Sequence, residues 1–211
     1  MDYDEIFWNK YADENESRNN EGFTKFLTDL ASALHCTSVL EIGCGTGIDL
    51  RKFDDSFEIH GVDLNEHALE LAKKNIPKGK FYKESITKLP FEDGSIDLVF
   101  THKLLNYLDD NTLDEGVNEM FRIAKKYIVN CELFEETEDK IDENMKFRNM
   151  LKRWIMHCEK YEKTEKQIDK NHKFRNMGEK WLDYKIKFVS DVDLHEDYGQ
   201  DKTRFTLLKK L

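Results

Sequence analysis

A short run that reads as a strand, Val39-Leu40-Glu41-Ile42, passes directly into Gly43-Cys44-Gly45-Thr46-Gly47 and then into a segment that predicts a helix to about Phe53. Glycines on alternate positions between a strand and a helix permit a tight turn with positive φ. They leave bare backbone against which a ligand can lie, and the helix start presents free N–H groups. A nucleoside-type ligand at the carboxyl end of a parallel strand is implied. Twenty residues after Gly43, a second strand over Glu58 to Val62 ends at Asp63, where a carboxylate can accept hydrogen bonds from both ribose hydroxyls. The dinucleotide spacing G-x-G-x-x-G requires a small residue at position 48, but Ile48 stands there, which disfavours a nicotinamide cofactor.

The surrounding chain alternates in the same way. A helix is predicted over Glu66 to Asn75, a short strand at Phe81-Tyr82, a fourth strand over Ile96 to Thr101, a helix over Leu113 to Lys125 and a fifth strand over Tyr127 to Cys131. Alternation of this kind means a parallel sheet covered by helices on both faces. The first 35 residues read as helix with a polar break at Glu14 to Asn20. Lys185 to Val192 and Thr203 to Lys209 read as an antiparallel pair at one sheet edge. The expected organisation is a single domain over 1–211: a helical cap (1–35), a ligand-binding core (37–132), an insert (135–182) and the edge pair (185–211).

The insert holds a tandem repeat with an offset of 27. Glu135 to Ile155 and Glu162 to Leu182 share 12 of 21 positions, including Lys146-Phe-Arg-Asn-Met150 against Lys173-Phe-Arg-Asn-Met177, and Trp154 against Trp181. Two copies are too few for a solenoid, so two similar helices beside the main sheet are expected. The insert also concentrates positive charge: residues 140–185 carry 13 basic and 8 acidic residues in a chain of net charge -10. An acidic whole disfavours sequence-independent binding to nucleic acid or an anionic membrane, and an anionic partner is expected to meet the insert. The four cysteines lie far apart with no Cys-x-x-Cys pair, so reduced buried thiols are expected and no metal site is signalled. The acidic start without an apolar run predicts a soluble cytoplasmic protein, with no membrane span.

Taken together, Glu41 before G-x-G-x-G, Asp63 ending the second strand, Leu89-Pro90-Phe91-Glu-Asp-Gly-Ser-Ile-Asp97 leading into the fourth and the closing edge pair resemble the class I S-adenosylmethionine-dependent methyltransferases. The resemblance implies a Rossmann-like, seven-stranded, mostly parallel sheet with a C-terminal antiparallel edge pair. It also implies S-adenosylmethionine as cofactor. Gly43, Gly45 and Gly47 with the backbone of Cys44 would hold its methionine and ribose, with Glu41 nearby. Asp63 would bind the ribose hydroxyls, Leu64 would flank the adenine, and Ser85 and Ile86 would meet the adenine edge. Thr101, His102 and Leu104 would line the methyl-transfer side. A finer similarity, carried by Phe7-Trp8-Asn-Lys-Tyr11, Arg18-Asn19, Phe100 to Tyr107 and the closing Gln200 to Leu208, is to methylases associated with pseudaminic acid biosynthesis. In that reading Tyr11 and Arg18 close over the cofactor and the substrate is an acidic sugar or nucleotide sugar.

A sulfonium already activates its methyl group, so the enzyme mainly aligns an acceptor lone pair with the methyl–sulfur bond. A base helps when the acceptor carries a proton, and His102, Tyr107 and Glu132 are the candidates by position. No Asp/Asn-Pro-Pro-Tyr/Phe sequence exists, and neither Pro77 nor Pro90 precedes a cysteine, which argues against base methylation in DNA and glutamine methylation. O- or N-methylation of a small polar, anionic metabolite is the expected activity. The alternatives are a cofactor-binding regulatory or accessory protein without transfer activity and an RNA methyltransferase using the basic insert with Phe147, Trp154, Phe174 and Trp181.

Overall fold

A computed structural model describes residues 4–16, 21–134, 139–141, 145–146, 148–162, 186–193 and 203–211. The helices are α1 (Glu5–Asn15), α2 (Glu21–Ala33), α3 (Glu66–Asn75), α4 (Asp110–Ile123) and α5 (Met150–Glu162). The strands are β1 (Ser38–Ile42), β2 (Glu58–Asp63), β3 (Lys80–Lys83), β4 (Ile96–His102), β5 (Ala124–Leu133), β6 (Ile186–Asp193) and β7 (Thr203–Lys210). They form one seven-stranded sheet in the order β3-β2-β1-β4-β5-β7-β6. Strands β1 to β5 pair in parallel, while β7 runs antiparallel to both β5 and β6. The fold class and the edge pair match what the alternation predicts.

Every residue of β1 is buried, as a central strand covered on both faces requires. On one face Phe23, Leu27 and Ala31, spaced by four along α2, pack with Leu69 of α3 against Leu98 and Phe100 of β4. On the other face Leu113, Val117, Met120 and Ile123 of α4 join Met150 and Trp154 of α5 over Leu40, Val99 and Ile128. Side chains alternate between faces along β4, and this period of two decides which of its terminal residues reach which layer.

Three segments depart from the sequence reading. The helix expected to Phe53 is one 3₁₀ turn, Ile48–Leu50. Leu50 and Phe53 bury themselves directly beneath α2, and Asp54 captures the Ser56 amide at 2.9 Å, an Asx turn that competes with helix continuation. Helix α4 begins three residues before the expected Leu113 because the Asp109 carboxylate accepts the amides of Asn111 and Thr112. In the first repeat copy Lys146, Arg148 and Asn149 precede α5, which begins only at Met150. Their position outside the helix follows from their hydrogen bonds: the Lys146 and Arg148 backbone amides donate to Asn106 O and Leu133 O, not to carbonyls four residues back. Most of the second copy, with Phe174 and Trp181, lies outside the described residues, as do Arg18 and Phe147.

Candidate functional site

The carboxyl ends of β1, β2 and β4 open into a cleft of about 1110 Å³. Its floor is the glycine loop. Gly43 and Cys44 both donate to Val62 O, at 2.7 and 3.0 Å, which folds the loop against β2. Gly43 has φ +73°, and a β-carbon there would lie 2.7 Å from the Leu104 side chain, so only glycine fits between β1 and the loop after β4. Asp63 accepts the amides of Gly45 and Asn65, each at 2.8 Å, and burial is the main influence raising its carboxyl above the ordinary range.

Glu41, Asp49 and Asp63 bring three carboxyl groups into one cleft. Burial, reinforced by the charges of Asp49 and Asp63, holds the Glu41 carboxyl well above its usual value, and its Oε2 is buried without a hydrogen-bond partner among the described residues. Such an atom is suited to meet a cationic or hydrogen-bonding ligand group. The exposed Leu64 stands at the rim and Ile86 lies inside, giving two apolar surfaces between which a flat ring can sit. Above the floor, α1 contributes Trp8, Tyr11 and Asn15, anchored by hydrogen bonds from Asn65 to Asn9 and between His67 and Asp13.

Another wall of the cleft is built by the loop after β4. Lys103 turns the chain with φ +53° and donates its amide to Cys131 O, a left-handed conformation uncommon outside glycine and frequent at functional sites. His102, Leu104 and Tyr107 line the cleft, and the Tyr107 ring meets Trp8 edge-on at 5.2 Å. Lys103, Lys140 and Lys146 add positive charge, and Lys146 is also paired with Asp110 at 3.1 Å.

Of the residues expected from sequence, Tyr11, Glu41, Gly43, Cys44, Gly45, Asp63, Leu64, Ile86, His102, Leu104 and Tyr107 line this cleft, whereas Gly47, Ser85, Thr101 and Glu132 do not. Gly47, at φ +76°, backs onto α3, where a β-carbon would meet Ile76 and Ala72. Ser85 turns its hydroxyl to Thr87, leaving Glu84 as the acidic residue after β3 that faces the cleft. Thr101 shares the Val99 face of β4, accepts from Asn130 at 2.9 Å and donates to Glu132. Glu132 sits beneath the loop after β4, accepts the Leu105 amide at 3.0 Å, and burial carries its carboxyl up to about 8. It supports the loop from behind and is not among the residues lining the cleft.

Asp49 and Glu84 are cleft residues the sequence reading does not single out. For Asp49 the available signal is a charged residue placed between Ile48 and Leu50 directly after the glycine turn. Among the described residues no cluster of metal-ligating side chains occurs, and no helix is long and apolar enough to cross a membrane. Cys36, Cys44 and Cys131 are buried free thiols that burial pushes upward, away from the reactive thiolate form.

The strand order and the glycine-loop cleft define the chain as a class I methyltransferase in fold. Residues 39–127 match the family model described as a methyltransferase domain. An uncharacterized methyltransferase of Schizosaccharomyces pombe is 31% identical over 101 residues, covering 41% of this chain and 36% of that protein. The O-methyltransferase rstn1 of Aspergillus nomiae is 28% identical over 98 residues, covering 43% of this chain and 44% of that protein. The chain spans well under half the length of the first curated relatives it matches, 28% to 38%. A crystal structure of an S-adenosylmethionine-dependent methyltransferase from Clostridium acetobutylicum superposes with TM-score 0.63 at 13% identity, covering 96% of this chain and 98% of that one. Residues 39–127 are thus similar to a methyltransferase domain, and the sheet and cleft share the fold of S-adenosylmethionine-dependent methyltransferases.

Proposed function

We propose that the protein binds S-adenosylmethionine and transfers its methyl group to a small polar, anionic acceptor. The observation that carries the reading is the joining, in one cleft, of the Gly43–Gly45 loop and the Asp63 carboxylate with a basic far wall. When bound, the cofactor supplies a methyl group already activated by a positively charged sulfur. Asp63 accepts from the ribose hydroxyls with the lone pairs its two amide donors leave available. Leu64 and Ile86 take the adenine faces, and the buried Glu41 carboxyl meets the polar methionine end. Trp8 and Tyr11 of α1 cover the cleft and exclude water. Lys103, Lys140 and Lys146 attract an acceptor carrying carboxylate or phosphate, and an acidic sugar or nucleotide sugar fits that chemistry. Holding acceptor and methyl group in line is the main catalytic contribution, a positioning effect of several kcal/mol.

Calorimetry with S-adenosylmethionine tests the first part, and absence of binding by the wild type would overturn it. The acceptor class is tested by incubation with S-adenosylmethionine carrying a tritiated methyl group and two pools, a small-metabolite extract and total RNA. Label in the anionic metabolite fraction is expected. Label confined to RNA refutes the acceptor assignment, and binding without transfer to either pool refutes the enzymatic one.

A further inference from the structure

We infer that Asp49 is a positioning residue that fixes His102 as a general base with its Nε2 lone pair presented to the acceptor, and hence that the acceptor atom is a protonated one, a hydroxyl or an amine. The inference rests on the methyl-transfer reading above. Asp49 stands in the 3₁₀ turn after the glycine loop and His102 at the end of β4, 53 residues apart, yet His102 Nδ1 lies 2.5 Å from Asp49 Oδ2. Both side chains are more than nine-tenths buried, at 9% and 8% exposure. The other Asp49 oxygen accepts from the Thr24 hydroxyl at 3.4 Å, and the Phe23 ring packs on the imidazole at a centroid distance of 4.2 Å. The ring is therefore held on its face by α2 and at one nitrogen by Asp49.

A carboxylate only accepts hydrogen bonds, so the Nδ1 atom carries the hydrogen, and in the neutral ring the second nitrogen, Nε2, keeps its lone pair. Nε2 is buried and has no hydrogen-bond partner among the described residues, although His102 lines the cleft. An unsatisfied buried polar atom costs stability; His60 Nδ1 is also buried without a partner among the described residues, but His60 lies away from the cleft, whereas the orphaned nitrogen of His102 belongs to a ring that lines it. The arrangement is the orienting half of a carboxylate–imidazole pair, whose value is a fixed tautomer and a stabilised imidazolium. Proton balance then restricts the acceptor. Its lone pair forms the bond to the methyl carbon while the electron pair of the broken carbon–sulfur bond stays on sulfur. Its proton passes to Nε2, and the resulting imidazolium lies against the Asp49 carboxylate until solvent removes the proton. A thioether or tertiary amine has no proton to give and makes no use of this pair.

The test combines ring-nitrogen NMR of the ¹⁵N-labelled full chain, with the His102 signals assigned by their loss in His102→Gln, and tritiated-methyl transfer into the metabolite extract. The wild type is expected to show His102 as the neutral Nδ1–H tautomer, and Asp49→Asn to lose that single form. His102→Gln and Asp49→Asn should each slow label transfer by about 10²-fold or more, while calorimetric affinity for S-adenosylmethionine stays within about threefold of wild type. Added imidazole should restore transfer to His102→Gly, a rescue that a packing role does not produce. An Nε2–H tautomer in the wild type, or His102→Gln transferring label at the wild-type rate, overturns the inference and leaves the cofactor reading standing. A wild type that binds no S-adenosylmethionine overturns that reading and this inference with it.

Discussion

The Asp63 carboxylate accepts the Gly45 amide at 2.8 Å, tying the end of β2 to the middle of the glycine loop. One side chain thus shapes the loop and, in the proposed complex, receives the ribose. Replacing it by alanine removes charge-assisted hydrogen bonds worth about 1.5–3 kcal/mol each. Calorimetry of Asp63→Ala is expected to show S-adenosylmethionine binding weakened at least tenfold, and undiminished affinity would refute the ribose assignment.

Leu104 occupies the space above Gly43 that a β-carbon would need, 2.7 Å away. Gly43→Ala combines that clash with a left-handed backbone and is expected to cost about 1–3 kcal/mol. Thermal unfolding should begin several degrees lower, and adding Leu104→Ala should recover only the part due to the clash.

Arg148 is fully buried and ties the repeat to the active-site loop. Its Nε donates to Leu105 O at 3.0 Å, its two terminal nitrogens donate to Leu108 O and to Asp110 Oδ1, the latter at 2.8 Å. Arg148→Met strands those carbonyls, with an expected loss of about 2–4 kcal/mol in urea unfolding. Because Leu104 and Tyr107 sit on the same loop, acceptor turnover should fall more than cofactor affinity.

Glu132 imposes a pH dependence. Its folded carboxyl titrates at about 8, above its unfolded value, so the folded state holds a proton that the unfolded chain has released over that interval. The stabilisation is complete below the unfolded value and is lost as pH rises through about 8, on the order of a few kcal/mol in all. Glu41, raised in the same direction, acts with the same sign. Urea midpoints should decline between about pH 5 and pH 8, and Glu132→Gln should flatten that decline. A slope unchanged in this variant would show that other groups set it.

The repeat offers a deletion test. Removing residues 135–161 places Lys173, Arg175 and Trp181 at the chain distances from Phe134 now held by Lys146, Arg148 and Trp154. Since Lys146, Arg148, Met150 and Trp154 recur identically while the docked Arg153 and His157 are replaced by Lys180 and Tyr184, the shortened protein is expected to fold with a melting temperature several degrees below wild type. Unfolding of this variant at ordinary temperature would show that the copies are not equivalent.

The alternation of strand and helix and the spacing from Glu41 to Asp63 were enough to determine the sheet, its edge pair and the floor of the cleft. Those features depend on local period and on turn chemistry, which neighbouring residues carry between them. Which residues after β4 face the ligand depended instead on the pleat. Thr101 and His102 are adjacent, yet one turns to the α4 and α5 layer and the other to α2. The partnership of Asp49 with His102, the support of the loop by Glu132 and Arg148, and the docking of the Lys146 and Arg148 amides ahead of α5 join residues 15 to 53 positions apart. No periodicity spans such distances, so only the packed chain decides them.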